Sequence, residues 1–141
     1  MTRTKKTGMK ARGGRAAVIG ALGLASVTLA AAPAFAKGSV DITAPHTAHV
    51  GKPFKVTAQG DDDAASYLRI CLEGRSSGRA WHRVTCGPVV DTGAEARATA
   101  HVKAAHSGVL QYRAVVYGLT SPTDRHPVRE RTSGPVRVHV R

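Results

Sequence analysis

From residue 40 onward, apolar and polar residues trade places almost one for one. Val40 and Ile42 alternate with Asp41 and Thr43, and Phe54, Val56 and Ala58 with Lys55, Thr57 and Gln59. Leu68, Ile70 and Leu72 alternate with Tyr67, Arg69, Cys71 and Glu73. Ala94, Ala96, Ala98, Ala100 and Val102 are interleaved with Glu95, Arg97, Thr99, His101 and Lys103. The pattern returns at Leu110, Tyr112, Ala114 and Val116, and again at Val136, Val138 and Val140. A period of two sends successive side chains to opposite faces, so each segment is read as a strand with one buried face. The alanines at 94–102 are good helix formers, but every second position would smear around a helix, and the strand reading wins. A seventh strand is expected from Trp81 to Cys86, after the turn residues Arg75-Ser76-Ser77-Gly78. Gly51-Lys52-Pro53, Gly60-Asp61, Gly87-Pro88, Thr92-Gly93 and Ser107-Gly108 supply the other turn signals.

About seven short strands and no helix in roughly 100 residues predict an all-β, antiparallel two-sheet sandwich, because a lone sheet of this length leaves its apolar face wet. Residues 118–134 form the one long stretch without alternation, read as a loop, or as a loop with a short strand at Val128 to Thr132.

The residues before this region read differently. Met1 to Arg15 is cationic, Ala16 to Ala32 is apolar, and Ala34-Phe35-Ala36 places small residues where a signal peptidase reads them. This is the pattern of a cleavable secretory signal peptide over 1–36, leaving a single domain at 37–141 with no membrane segment after cleavage. That placement changes the meaning of the net charge of +12. Six of the 21 Lys and Arg precede Ala16, which leaves fifteen against nine acids. Such an excess keeps a protein soluble and attracts anionic surfaces; with so few aromatics it does not read as a nucleic-acid interface. In an oxidising compartment the two cysteines, Cys71 and Cys86, have one pairing open to them, and a disulfide is expected.

The stretch Gly108-Val109-Leu110-Gln111-Tyr112-Arg113-Ala114-Val115-Val116 resembles the sixth strand of immunoglobulin-like and fibronectin-like domains. Val50-Gly51-Lys52-Pro53-Phe54-Lys55-Val56 is similar to the start of the second strand in bacterial extracellular sandwich modules. The resemblance implies an immunoglobulin-like sandwich and a tyrosine corner, with the Tyr112 hydroxyl bonded to nearby backbone. The chain departs from antibody domains in its cysteines. Cys71 and Cys86 flank one hairpin, so their bond would clip neighbouring strands rather than join two sheets. The resemblance brings no activity with it.

No catalytic constellation emerges, and the chain is read as not an enzyme. Gly74-Arg75-Ser76-Ser77-Gly78 matches G-x-S-x-G, but a nucleophile elbow needs a following helix and a larger α/β scaffold, so the stretch is read as a turn. Asp61-Asp62-Asp63 lacks the alternate spacing of a calcium loop. His46 and His49 point to opposite faces of a strand, and no metal or other cofactor is expected.

Two surfaces remain as candidate binding sites. If strands 66–73, 109–117 and 136–141 are neighbours, Tyr67, Arg69, Arg113, Val115, Tyr117, Arg137 and His139 share one outward face. Arg and Tyr combine bidentate hydrogen bonding with amphipathic area and are enriched at binding hot spots. The alternative is the 118–134 loop with Arg125, His126, Arg129 and Arg131. The function expected is a secreted, non-catalytic binding module, free or wall-associated, whose partner is an anionic envelope polymer or another protein. A secreted protease inhibitor presenting the 118–134 loop is the alternative.

Overall fold

The computed structural model describes residues 38–141; the expected signal peptide lies outside the described residues. Ten strands run in order: β1 (Gly38–Thr43), β2 (Thr47–Ala48), β3 (Pro53–Asp62), β4 (Tyr67–Ser76) and β5 (His82–Cys86). Then come β6 (Val90–Asp91), β7 (Ala96–Lys103), β8 (Gly108–Leu119), β9 (Val128–Thr132) and β10 (Val136–Val140). They build two sheets. One is β1-β3-β7; the other is β2-β10-β8-β4-β5, with β6 against β4 and β9 against β8. The described chain is an immunoglobulin-like sandwich, as the resemblance implies, with two sheets antiparallel except where β2 meets β10, as the alternation leads one to expect of the sheets.

The extra strands come from divided edges. The first strand splits: β1 pairs with β3 in one sheet, and β2 crosses over to pair in parallel with β10 in the other. The last strand also breaks, so that β9 and then β10 run along β8. At the break, Ser133 donates its amide to the Ala114 carbonyl at 2.9 Å, and its Oγ accepts from the Ala114 amide at 2.8 Å. The ladder's hydrogen bonds are thus continued by one side chain where Gly134 and Pro135 interrupt it.

The inward residues of both sheets form the core: Phe54, Val56 and Ala58 from β3, Leu68, Ile70 and Leu72 from β4, and Ala96, Ala98 and Ala100 from β7. Tyr112, Ala114 and Val116 of β8 and Val138 and Val140 of β10 complete it. Each large aliphatic side chain buried here contributes about 1.5–3 kcal/mol. The alanines of β7 face Val56 and Ala58 across the β3–β7 ladder, where Ala100 pairs with Val56 and Ala98 with Ala58. Beside them Gly87 leaves no room for a side chain. Its amide donates to the Ile70 carbonyl at 2.9 Å, and an added Cβ would collide with the Arg97 carbonyl.

Tyr112 departs from the implied tyrosine corner. Its ring lies edge-on to Phe54, with centroids 6.1 Å apart and planes at 72°, and its hydroxyl makes no hydrogen bond among the described residues. The preceding loop is tied elsewhere, through the Ala104 carbonyl, which accepts from the Gly51 amide at 2.9 Å. Burial pushes the Tyr112 phenol up from 10.0 to about 12.

Candidate functional site

The sheet order assumed for the basic face is present: β10, β8 and β4 are neighbours, with β5 beyond β4. The register puts Arg69 opposite Tyr117, Cys71 opposite Val115, Glu73 opposite Arg113, and Arg75 opposite Gln111. Arg137 and His139 lie opposite Gln111 and Val109 on the other side of β8. Tyr67, Arg69, Arg113, Val115, Tyr117, Arg137 and His139 therefore share the outer face, as period two requires. A register shift between Leu72 and Glu73 sets Arg83 of β5 opposite Glu73, so Arg83 joins the same face.

This face is layered. Cys71, Val115, Tyr117 and Leu119 are buried in a second apolar cluster, with Tyr67, Cys86 and Val89 packed against it. Cys71 and Cys86 are directly paired across β4 and β5 and form the disulfide, which clips adjacent strands. Val115 and Tyr117 are thus a floor under the face rather than its contact surface.

Above this floor, cations dominate. Arg69, Arg75, Arg83, Arg113, Arg129 and Arg137 lie on or beside the face, and the one carboxylate they pair with among the described residues is Glu73. Arg113 donates from Nε to Glu73 Oε2 at 2.6 Å, and Arg129 approaches Glu73 Oε1 at 3.5 Å. Two guanidiniums lie over the Trp81 ring, Arg75 at 4.3 Å and Arg113 at 4.4 Å from its centroid. Cation–π attraction of this kind holds Arg side chains in place while leaving their N–H edges free to bond. Arg75 is fixed further by its Nε donating to Gln111 Oε1 at 2.7 Å. Arg83 lies 6.0 Å from the Tyr117 ring centroid. The Arg69 Nε is buried and has no hydrogen-bond partner.

The second candidate surface is dispersed. Residues 120–127 form the connection, and β9 takes up residues 128–132. Arg125 and His126 are exposed, and the His126 and Thr120 amides donate to Asp124, whose carboxyl these bonds hold below the usual carboxylate range. Arg129 turns to Glu73. Arg131 donates from Nε to the buried Asp62 of β3 and so ties the two sheets together.

Sequence reasoning misses Arg75, Arg83, Trp81 and Glu73 as members of the basic face. Arg75 continues the period from Tyr67 and Arg69 and is legible on that ground. Arg83 is not, because its orientation depends on the bulge. The G-x-S-x-G stretch is the end of β4 and a turn in which Gly78 has φ +76°. Among the described residues, no three His, Cys, Asp or Glu side chains gather as a metal site.

The fold and face define a disulfide-clipped, immunoglobulin-like sandwich with an arginine-rich outer sheet. No family model and no curated protein sequence matches the chain. Among solved structures, superoxide reductase (neelaredoxin) from Ignicoccus hospitalis matches at a TM-score of 0.46 and 20% identity, over 73% of this chain and 80% of that one. A variant form of that reductase matches to the same extent. The complex of zinc 2-glycoprotein with prolactin inducible protein from human seminal plasma matches at a TM-score of 0.46 and 8% identity, over 72% of this chain and 93% of the matched chain. The expectation that the chain is not an enzyme is corrected by these matches, since they include a superoxide reductase. An all-β module without a recognisable triad is not thereby a non-enzyme, because fold class does not decide activity.

Proposed function

We propose that the domain is an extracellular binding module whose arginine-rich sheet face holds an anionic polymer of the cell envelope. The observation that carries this reading is six arginines gathered on one sheet face with a single carboxylate among the described residues there, Glu73, which pairs with only two of them, Arg113 and Arg129. Arg69 adds a specific demand: a buried guanidinium N–H without a partner costs free energy until an acceptor reaches it. Guanidiniums match phosphate and carboxylate oxygens in bidentate geometry, and Trp81 orients two of them. The disulfide and the signal-peptide pattern over 1–36 support an extracellular location, in a compartment that keeps such bonds oxidised.

The test is a calorimetric titration of the exported, disulfide-bonded protein with long-chain polyphosphate as the probe. Saturable binding is expected, weakened at least about tenfold by the double change Arg69→Ala and Arg137→Glu, since each lost or reversed contact to an anion is worth roughly a kcal/mol or more. Binding that is absent, or that the double variant leaves unchanged, overturns the reading.

A further inference from the structure

At the end of the sandwich where β4 turns into β5 and β7 leads into β8, the two sheets leave a cavity of about 740 Å³ between them. That is the size of a small-molecule site. Val84, Leu110 and Tyr112 line it, and each belongs to the core cluster or packs against it. Arg75, His82, Arg83, Lys103 and His106 also line it, and no Asp or Glu does. The cavity therefore joins an apolar wall to a cationic rim.

Two details show that its inner wall is built rather than accidental. Gly74 lies beside Tyr112, and a Cβ at that position would stand 2.9 Å from the ring, so β4 gives the ring its place in the wall by carrying no side chain there. Tyr112 is itself only 4% exposed. Its hydroxyl lacks a hydrogen-bond partner among the described residues, and burial raises the phenol from 10.0 to about 12. The hydroxyl is not among the fully buried unpaired atoms, so at the cavity wall it can donate to a bound polar group.

We propose that this cavity binds a small amphiphilic anion: an alkyl chain or ring bearing a carboxylate. The apolar body lies against Val84, Leu110 and Tyr112, and the carboxylate meets the positive rim at Lys103. Charge complementarity selects the occupant, because a neutral amphiphile satisfies the apolar wall alone and a cationic one meets like charge. Arg69, Trp81 and Arg113 of the outer face do not line the cavity, so different variants read the two sites.

The experiment titrates laurate, and dodecanol as its uncharged counterpart, into the exported protein. Saturable one-to-one binding of laurate is expected, with a Kd below about 100 μM. Lys103 is exposed, so Lys103→Glu leaves the core intact. It should weaken laurate at least about tenfold, since a reversed charge near the carboxylate repels it, and leave dodecanol within about twofold. Leu110→Trp, which fills the cavity, should abolish both. Absence of saturable laurate binding, or equal laurate affinity in wild type and Lys103→Glu, overturns the proposal even if Leu110→Trp does not fold. Polyphosphate titration of the same variants reads the outer face separately, so failure of one site is distinguishable from failure of the other.

Discussion

At Glu73, 8% exposed, one carboxylate sits between Arg113 and Arg129. Removing its charge leaves two guanidiniums facing each other on a face that is already positive. Glu73→Gln is expected to lower stability by about 2 kcal/mol, between the limits for exposed and buried ion pairs, as read from urea denaturation. The same change should tighten polyphosphate binding, because it adds net positive charge to the face. Loss of both stability and affinity would mean that the pair's main work is holding Arg113 in position. Tyr112 makes a second case at this scale. Its phenol keeps its proton in the folded chain up to about 12, whereas the ordinary value is 10.0. The stability this difference contributes is fully present below pH 10 and is lost as pH rises from there through 12. Tyr112→Phe should therefore lose less stability than wild type across that window, and its phenolate absorbance step near pH 12 should vanish. Parallel stability curves would contradict the burial argument.

Among the elements, the β4–β5 hairpin concentrates the constraints. The disulfide closes a short loop, with the two cysteines 15 apart in sequence. Replacing both by alanine is expected to cost about 3 kcal/mol in the chain-entropy picture, measured by chemical denaturation of the paired variants. At the end of β5, Gly87→Ala drives a methyl group into the backbone of β7 at Arg97. Since backbone cannot swing aside as a side chain does, a loss of more than about 2 kcal/mol is expected, visible as a lowered Tm. The outer face of the same sheet marks how far strands can be read from sequence. Period two assigns Arg69, Arg113, Arg137 and His139 to one face correctly, because alternation is a property of each strand alone. It cannot place Arg83, whose side depends on a register shift with the neighbouring strand. Nor can it tell that Arg129 and Arg131, two apart on β9, serve different partners, Glu73 and Asp62.

For the whole molecule, the cationic outer face and the cationic cavity lie on the same sandwich, while the opposite end has a cavity lined by Asp63, Asp124 and Glu130 along with His126. A molecule so divided orients in the field of an anionic surface. Raising salt from low to high ionic strength is expected to slow association with polyphosphate strongly, because charges beyond about 8 Å are screened at physiological salt. Stopped-flow association rates measure this, and a rate indifferent to salt would sink the electrostatic account.

By itself the sequence determined the alternation, hence the strands and the sandwich, and it supplied two cysteines with a single partner each. Those properties are local: which face a side chain takes follows from its place in its own strand, and hydrophobic burial then demands a second sheet. Only the tertiary structure decided that Arg75 and Arg113 would both lie over Trp81, that Val115 and Tyr117 would be covered, and that Tyr112 would line a cavity. These outcomes depend on the register between distant strands and on how closely the two sheets approach, which no single segment encodes.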